Sequence, residues 1–106
     1  MPKVKIINIK KRKCDSLEVV GTVTRKERTQ RSKWREHALS TLEDETGSIL
    51  LNLWRDQINQ VNVGDTICLK AGFTEKRKGV FQLSTWEEKI EVLKHDKSKT
   101  NLEQNV

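Results

Sequence analysis

The sequence predicts an all-β domain, a Greek-key barrel of five strands with one short helix between the third and fourth strands. Three observations lead there. Five stretches are rich in β-branched or alternating apolar residues, and glycine- and charge-rich turns separate them. One segment alone, residues 55–60, has the polarity and length of a helix, and it can make only one or two turns. The chain has 106 residues, of which 34% are hydrophobic, so it forms one domain with a small core. A core of that size suits a compact barrel better than a layered α/β enzyme.

The elements follow in order. Val4, Ile6, Ile7 and Ile9 punctuate a basic leader, from which we expect an extended strap whose isoleucines plug one end of the barrel. Residues 10–13 are a basic turn, and Asp15-Ser16 opens the domain proper. Leu17 to Thr24 reads as the first strand, with Leu17, Val19, Gly21 and Val23 on one face by period-two spacing. Gly21 inside it marks a bulge or bend of the kind that lets one strand serve both sides of a small barrel. Residues 25–35 are polar and basic, a long exposed hairpin loop or two frayed strand ends. His37 to Leu42 is the second strand, and residues 43–47 are an acidic turn ending in Gly47. Ser48 to Trp54 is the third strand. Its alternation places Ile49, Leu51 and Leu53 inside and Leu50, Asn52 and Trp54 outside. After the short helix, Val61 and Val63 lead to a Gly64-Asp65 turn and to the fourth strand, Thr66 to Phe73. Residues 76–79 form a tight basic hairpin, and Val80 to Ser84 is the last barrel strand. Residues 86–93 close the domain, with Ile90, Val92 and Leu93 available for packing. Residues 1–93 are thus one domain, and residues 94–106 lack apolar periodicity and are expected to form a disordered tail. Five strands with a helix between the third and fourth is OB-fold topology.

Composition narrows the function. The formal charge is +6 and the isoelectric point about 9.5, the footprint of a domain that meets phosphates. Catalysis is not expected. His37 and His95 are far apart in the chain, and there is no phosphate loop, nucleophile elbow or zinc spacing. Asp44 and Glu45 are adjacent turn acids that point apart, so we expect no catalytic residue, no metal and no cofactor. Cys14 and Cys68 read as two ordinary thiols of a reducing compartment. No apolar run is long enough to span a membrane, and no secretory leader follows Met1. We expect a protein of the cell interior, cytoplasmic, or nuclear in a eukaryote.

Aromatic residues interleaved with basic ones carry the positive signal. Trp54 lies on the outer face of the third strand beside Asn52, where an indole can stack on an unpaired base. Periodicity alone leaves Phe73 open: strict alternation makes it core, and a bulge at Gly72 would turn it outward. Phe81 and Leu83 share a face that we assign to the core. Trp34 sits among basic residues, where it can clamp a strand end or pack on the barrel rim. Trp86 is assigned a structural role. Basic residues Arg25, Lys26, Arg28, Arg31, Lys33 and Arg35 lie in the first hairpin, and Lys76, Arg77 and Lys78 in the last. In an OB-fold both loops flank the face of strands two and three, so two basic loops and Trp54 should meet at one groove, with Arg55 beside it.

These residues resemble a known family. Val20-Gly21-Thr22-Val23, the run from Leu42 through Gly47 to Ile49, Leu51-Asn52-Leu53-Trp54 and Val63-Gly64-Asp65 are similar to the simple OB-fold single-stranded-DNA-binding proteins of archaea. The same pattern resembles small human relatives that act in DNA repair (the SOSS small subunits) and the OB domains of replication protein A. It spans about residues 3–93. The resemblance implies that Trp54 is a base-stacking tryptophan and Phe73 a second stacking ring. It also implies that Arg77 replaces a third aromatic and Ser84 an aromatic found in human relatives. The expected ligand is single-stranded DNA, bound largely without regard to sequence in replication, recombination or repair, with repair or replication proteins as further partners. RNA is an alternative, since OB-folds bind both and nothing here reads a 2′-OH. A second alternative is a protein-interaction subunit of a DNA-maintenance complex.

Overall fold

The computed structural model describes residues 3–10, 13–31, 35–86 and 89–94. Strand β1 (Leu17–Lys26) alternates as expected, with Leu17, Val19, Gly21 and Val23 buried. Its first half pairs with β5 (Thr66–Arg77) and its second with β3 (Glu36–Asp44), the exchange falling at Thr22, which faces Thr66 on one side and Glu43 on the other. Gly21 makes this crossing possible. A Cβ there would lie 2.8 Å from the Glu43 carbonyl oxygen and 2.9 Å from Leu42 Cγ, so the two strands could not approach.

A two-residue strand β2 (Gln30–Arg31) pairs with the start of β3, so part of the basic stretch is a frayed hairpin end. β3 and β4 (Gly47–Trp54) form a continuous antiparallel ribbon from Asp44↔Gly47 to His37↔Trp54. Helix α1 (Asp56–Gln60) follows, then β5, then β6 (Val80–Ser84) across a two-residue turn. In that turn Lys78 and Gly79 both have positive φ (51° and 81°), the primed geometry that suits twisted hairpins. β7 (Ile90–Lys94) pairs with β5. The five expected strands are β1, β3, β4, β5 and β6. The helix falls between the third and fourth of these, which β2 shifts to β4 and β5. The ring closes as β1-β3-β4-β6-β5 and back to β1, an OB-fold. The join between β4 and β6 is a single parallel bridge, Leu51↔Leu83.

The core gathers Val19, Val23, Leu42, Leu51, Leu53, Ile67, Leu69 and Leu83, all fully buried. The N-terminal plug is present, but the strap is not extended. Residues Ile6–Asn8 form a 3-10 turn that drives Ile6 and Ile9 inward and leaves Ile7 exposed. At the other end Ile90 is buried and Val92 packs against the core, whereas Leu93 points out. Of the tail, residues 95–106 lie outside the described residues. Cys14 and Cys68 are free thiols, and burial, followed by the negative charge of Glu18, pushes the Cys68 thiol up.

Asp44 ties the plug to the acidic turn. Its carboxylate accepts from the Ile6 N–H at 2.9 Å, the Thr46 N–H at 2.7 Å and the Thr46 hydroxyl at 2.5 Å. Burial alone would raise its pKa, but these bonds outweigh burial and hold it below the ordinary value of 3.8. The stabilisation is therefore present above that value and lost as pH falls through the lower folded-state value. Asp44→Asn is expected to cost about 1–3 kcal/mol at neutral pH. In urea unfolding the gap to wild type should narrow as the medium is acidified through the carboxylate range. A gap that stays constant down to low pH would contradict this role.

Candidate nucleic-acid interface

Trp54 ends β4 because Arg55, at φ +51°, breaks the strand into α1. The first turn of α1 then carries Gln57 under the strand end, fully buried. Its Oε1 accepts from the Trp54 N–H at 3.0 Å, while its Nε2 donates to the carbonyls of Thr85 (3.1 Å) and Trp86 (3.0 Å). One side chain thereby sets the spacing between the two tryptophans. The Trp54 ring is backed by its cross-strand neighbour His37, with ring centroids 4.3 Å apart.

Two cations from separate hairpins reach this indole. Arg35 Cζ, from the segment entering β3, lies 5.5 Å from the ring centroid, and Arg77 Cζ, from the end of β5, also lies 5.5 Å from it. Arg77 is further held by Glu75 at 3.4 Å. Trp54 is therefore half-buried rather than open, with guanidinium groups against its ring. The two guanidinium groups and the His37 ring together flank the indole.

Phe73 faces the same cleft. Between Val19↔Leu69 and Leu17↔Gly72 the β5 strand holds one residue more than β1, and Ala71 takes φ +54°. This bulge resets the alternation, so that Leu69 and Gly72 both point inward and Phe73 points out. The reset lies at Ala71, one residue ahead of the expected Gly72. Phe73 packs against Trp86 with centroids 5.5 Å apart. Together Arg35, Trp54, Arg55, Phe73, Arg77 and Trp86, with Glu75, Thr85 and Lys89, line an open cleft of about 630 Å³.

The cleft thus unites five of the expected residues: Trp54, Phe73, Arg35, Arg55 and Arg77. Others fall elsewhere. Asn52 is 1% exposed, closed over by hydrogen bonds to His37, Gln82 and Ser84, and so supports the face from beneath instead of presenting itself on it. Lys26 turns away to the carbonyls of Ile58 and Val61 at the end of α1. Arg31 pairs with Glu36 at 3.3 Å, and Arg28 and Lys78 are exposed without lining the cleft. Lys33 and Trp34 lie outside the described residues. Lys76 and Phe81 line a second depression that shares Phe73, Glu75 and Trp86 with the cleft, with Lys76 Nζ 5.8 Å from the Phe81 ring centroid. Phe81 is therefore a rim residue, and Leu83 alone of that pair is core, because the β5–β6 hairpin extends beyond the barrel. Trp86, assigned a structural role from sequence, is 65% exposed and belongs to the cleft. Its position two residues after β6 gives no periodicity from which to read this. Among the described residues no cluster of His, Cys, Asp or Glu could hold a metal ion, and no helix is long and apolar enough to cross a membrane.

A sequence profile described as single-stranded DNA binding protein Ssb-like, OB fold, matches residues 1–92. The chain belongs to this Ssb-like OB-fold family. No curated protein matches it. Among solved structures, the OB domain of a Thermoplasma acidophilum protein superposes with a TM-score of 0.70 at 19% identity, over 86% of each chain. A hypothetical protein from Arabidopsis thaliana gives 0.70 at 19% identity, over 88% of this chain and 74% of its own. The second OB-fold domain of replication protein A from Methanococcus maripaludis gives 0.63 at 20% identity, over 88% and 96%. At these identities the structures share the fold of the Ssb-like chain, and its cleft must be judged on its own residues.

Proposed function

We propose that this protein binds single-stranded DNA, largely without regard to sequence, and acts without catalysis in replication, recombination or repair. Bases stack on Trp54 and Phe73, with Trp86 as a third ring, and phosphates meet Arg35, Arg55 and Arg77. The reading rests above all on one observation: guanidinium groups from two different hairpins converge on one indole in an open cleft. Stacking tolerates any base because every base has a π-face, and the cations follow the backbone. Such a protein would work inside the cell alongside other replication or repair proteins.

With about four phosphates neutralised by these arginines and Lys89 of the same cleft, log affinity for oligo-dT should fall with log salt at a slope near −3, since each phosphate on a single strand contributes about −0.7. Anisotropy titrations of a labelled oligonucleotide at several salt concentrations measure the slope. Absent or salt-independent binding would sink the proposal. Competition between matched poly-dT and poly-U in the same assay decides between DNA and RNA, and a poly-U preference would move the protein to RNA.

A further inference from the structure

The aromatic surface does not end at Phe73 and Trp86. Those two rings, with centroids 5.5 Å apart, also border the second depression, which is the larger at about 1150 Å³. Lys76 and Phe81 are cross-strand partners on β5 and β6, so by alternation they occupy the face of that hairpin opposite Glu75 and Arg77. Lys76 Nζ stands 5.8 Å from the Phe81 ring centroid, the same pairing of cation and ring that Arg35 and Arg77 make with Trp54. Lys13, exposed on the segment that enters β1, brings a second cation. The carboxylates here are Asp15 and Glu75, and Glu75 is already engaged by Arg77 at 3.4 Å.

The backbone around the depression is held firmly. Thr74 donates its N–H to the Cys14 carbonyl at 2.9 Å, and its hydroxyl accepts from the Cys14 N–H at 2.7 Å. Ser16 and Ala71, which also line the depression, both have positive φ (53° and 54°) although neither is glycine. Strained backbone of this kind collects at ligand sites. We infer that the second depression is a further subsite for the same single strand, taking nucleotides that adjoin those held on Trp54. A base stacks on Phe81, phosphates meet Lys76 and Lys13, and the Phe73–Trp86 pair carries the strand from one depression to the other. Continuity decides the occupant. Two rings proposed to hold bases border both depressions, so a strand leaving the cleft across them enters the second directly. The inference rests on the proposed binding of single strands.

The test is the affinity for oligo-dT at two lengths, about four and about sixteen nucleotides, the range of site sizes for one OB-fold. Quenching of tryptophan fluorescence at low salt reads both, and wild type, Phe81→Ala and Lys76→Gln all keep their tryptophans. Variant and wild type are compared at each length, so the greater number of registers on the longer strand cancels. Phe81→Ala should leave the short strand's affinity unchanged and weaken the long strand at least about fivefold, the low end for a lost stacking ring. Lys76→Gln should likewise spare the short strand, and it should make the salt slope of the long one shallower by about 0.7. Thermal melts establish that each variant folds. Lys76 is exposed, so its variant decides the matter if Phe81→Ala does not fold. Long-strand affinity that is unchanged in a folded variant overturns the inference alone. Equal weakening at both lengths also overturns it, because the residue then acts through the first cleft. Failure of wild type to bind either strand overturns the underlying function instead.

Discussion

Trp54→Ala is expected to weaken oligo-dT binding by about 1–3 kcal/mol, roughly five- to 150-fold, the usual loss when a stacking ring is truncated. Most of the barrel should not notice. The indole is half-buried against His37 on the outer face of β4, whereas Leu51 and Leu53 are fully buried in the core on its inner face. Arg35 and Arg77 lose the ring on which both now rest, so phosphate contacts should loosen as well, and the salt slope of the variant should be shallower. Anisotropy titration alongside a thermal melt separates the two effects. Collapse of the melt with proportionate loss of binding would assign Trp54 to the core.

The largest loss of stability should come from a residue that touches no ligand. Gln57→Leu removes three hydrogen bonds at a site with no exposure and strands the Trp54 N–H and the carbonyls of Thr85 and Trp86. The Thr85 carbonyl is orphaned in a buried bond and the other two groups in partly buried ones, and such groups cost more than the bonds themselves gain, so we expect about 2–4 kcal/mol. For a domain of this size that is a fall in melting temperature on the order of ten degrees or more. Below the new melting point, binding should still be weakened, because the strand end bearing Trp54 and the segment bearing Trp86 are no longer held to one another. Urea unfolding and titration at low temperature measure the two losses, and a variant as stable as wild type would remove Gln57 from this role.

Much of the barrel was legible in the sequence because its determinants are local. The alternation of Leu17, Val19 and Val23 fixed the buried face of β1, and Gly21 marked the crossing between partner strands. The charged turns placed the two basic hairpins, and with them the meeting of Arg35 and Arg77 at Trp54. What escaped was set by tertiary contacts. Ala71 adopts positive φ without being glycine, so the bulge that turns Phe73 outward has no signature of its own. Asn52 alternates outward as expected, yet side chains from two other strands close over it. Trp86 belongs to the cleft because Gln57, a long way back in the chain, holds its carbonyl. The 3-10 turn at Ile6–Asn8 follows from the Asp44 carboxylate, which captures the Ile6 N–H.

The narrow join between β4 and β6 has a mechanical meaning. Two ribbons, β3–β4 with Trp54 and β5–β6 with Phe73, are laced together at Leu51 and Leu83 and fastened outside by the Asn52 amide. Each ribbon keeps its own ladder if the lacing slips, so breathing motions should begin there and be seen first in amide exchange along that line. A polymer draped across both rings would clamp the ribbons shut, and occupancy of the cleft would register as a quieter barrel.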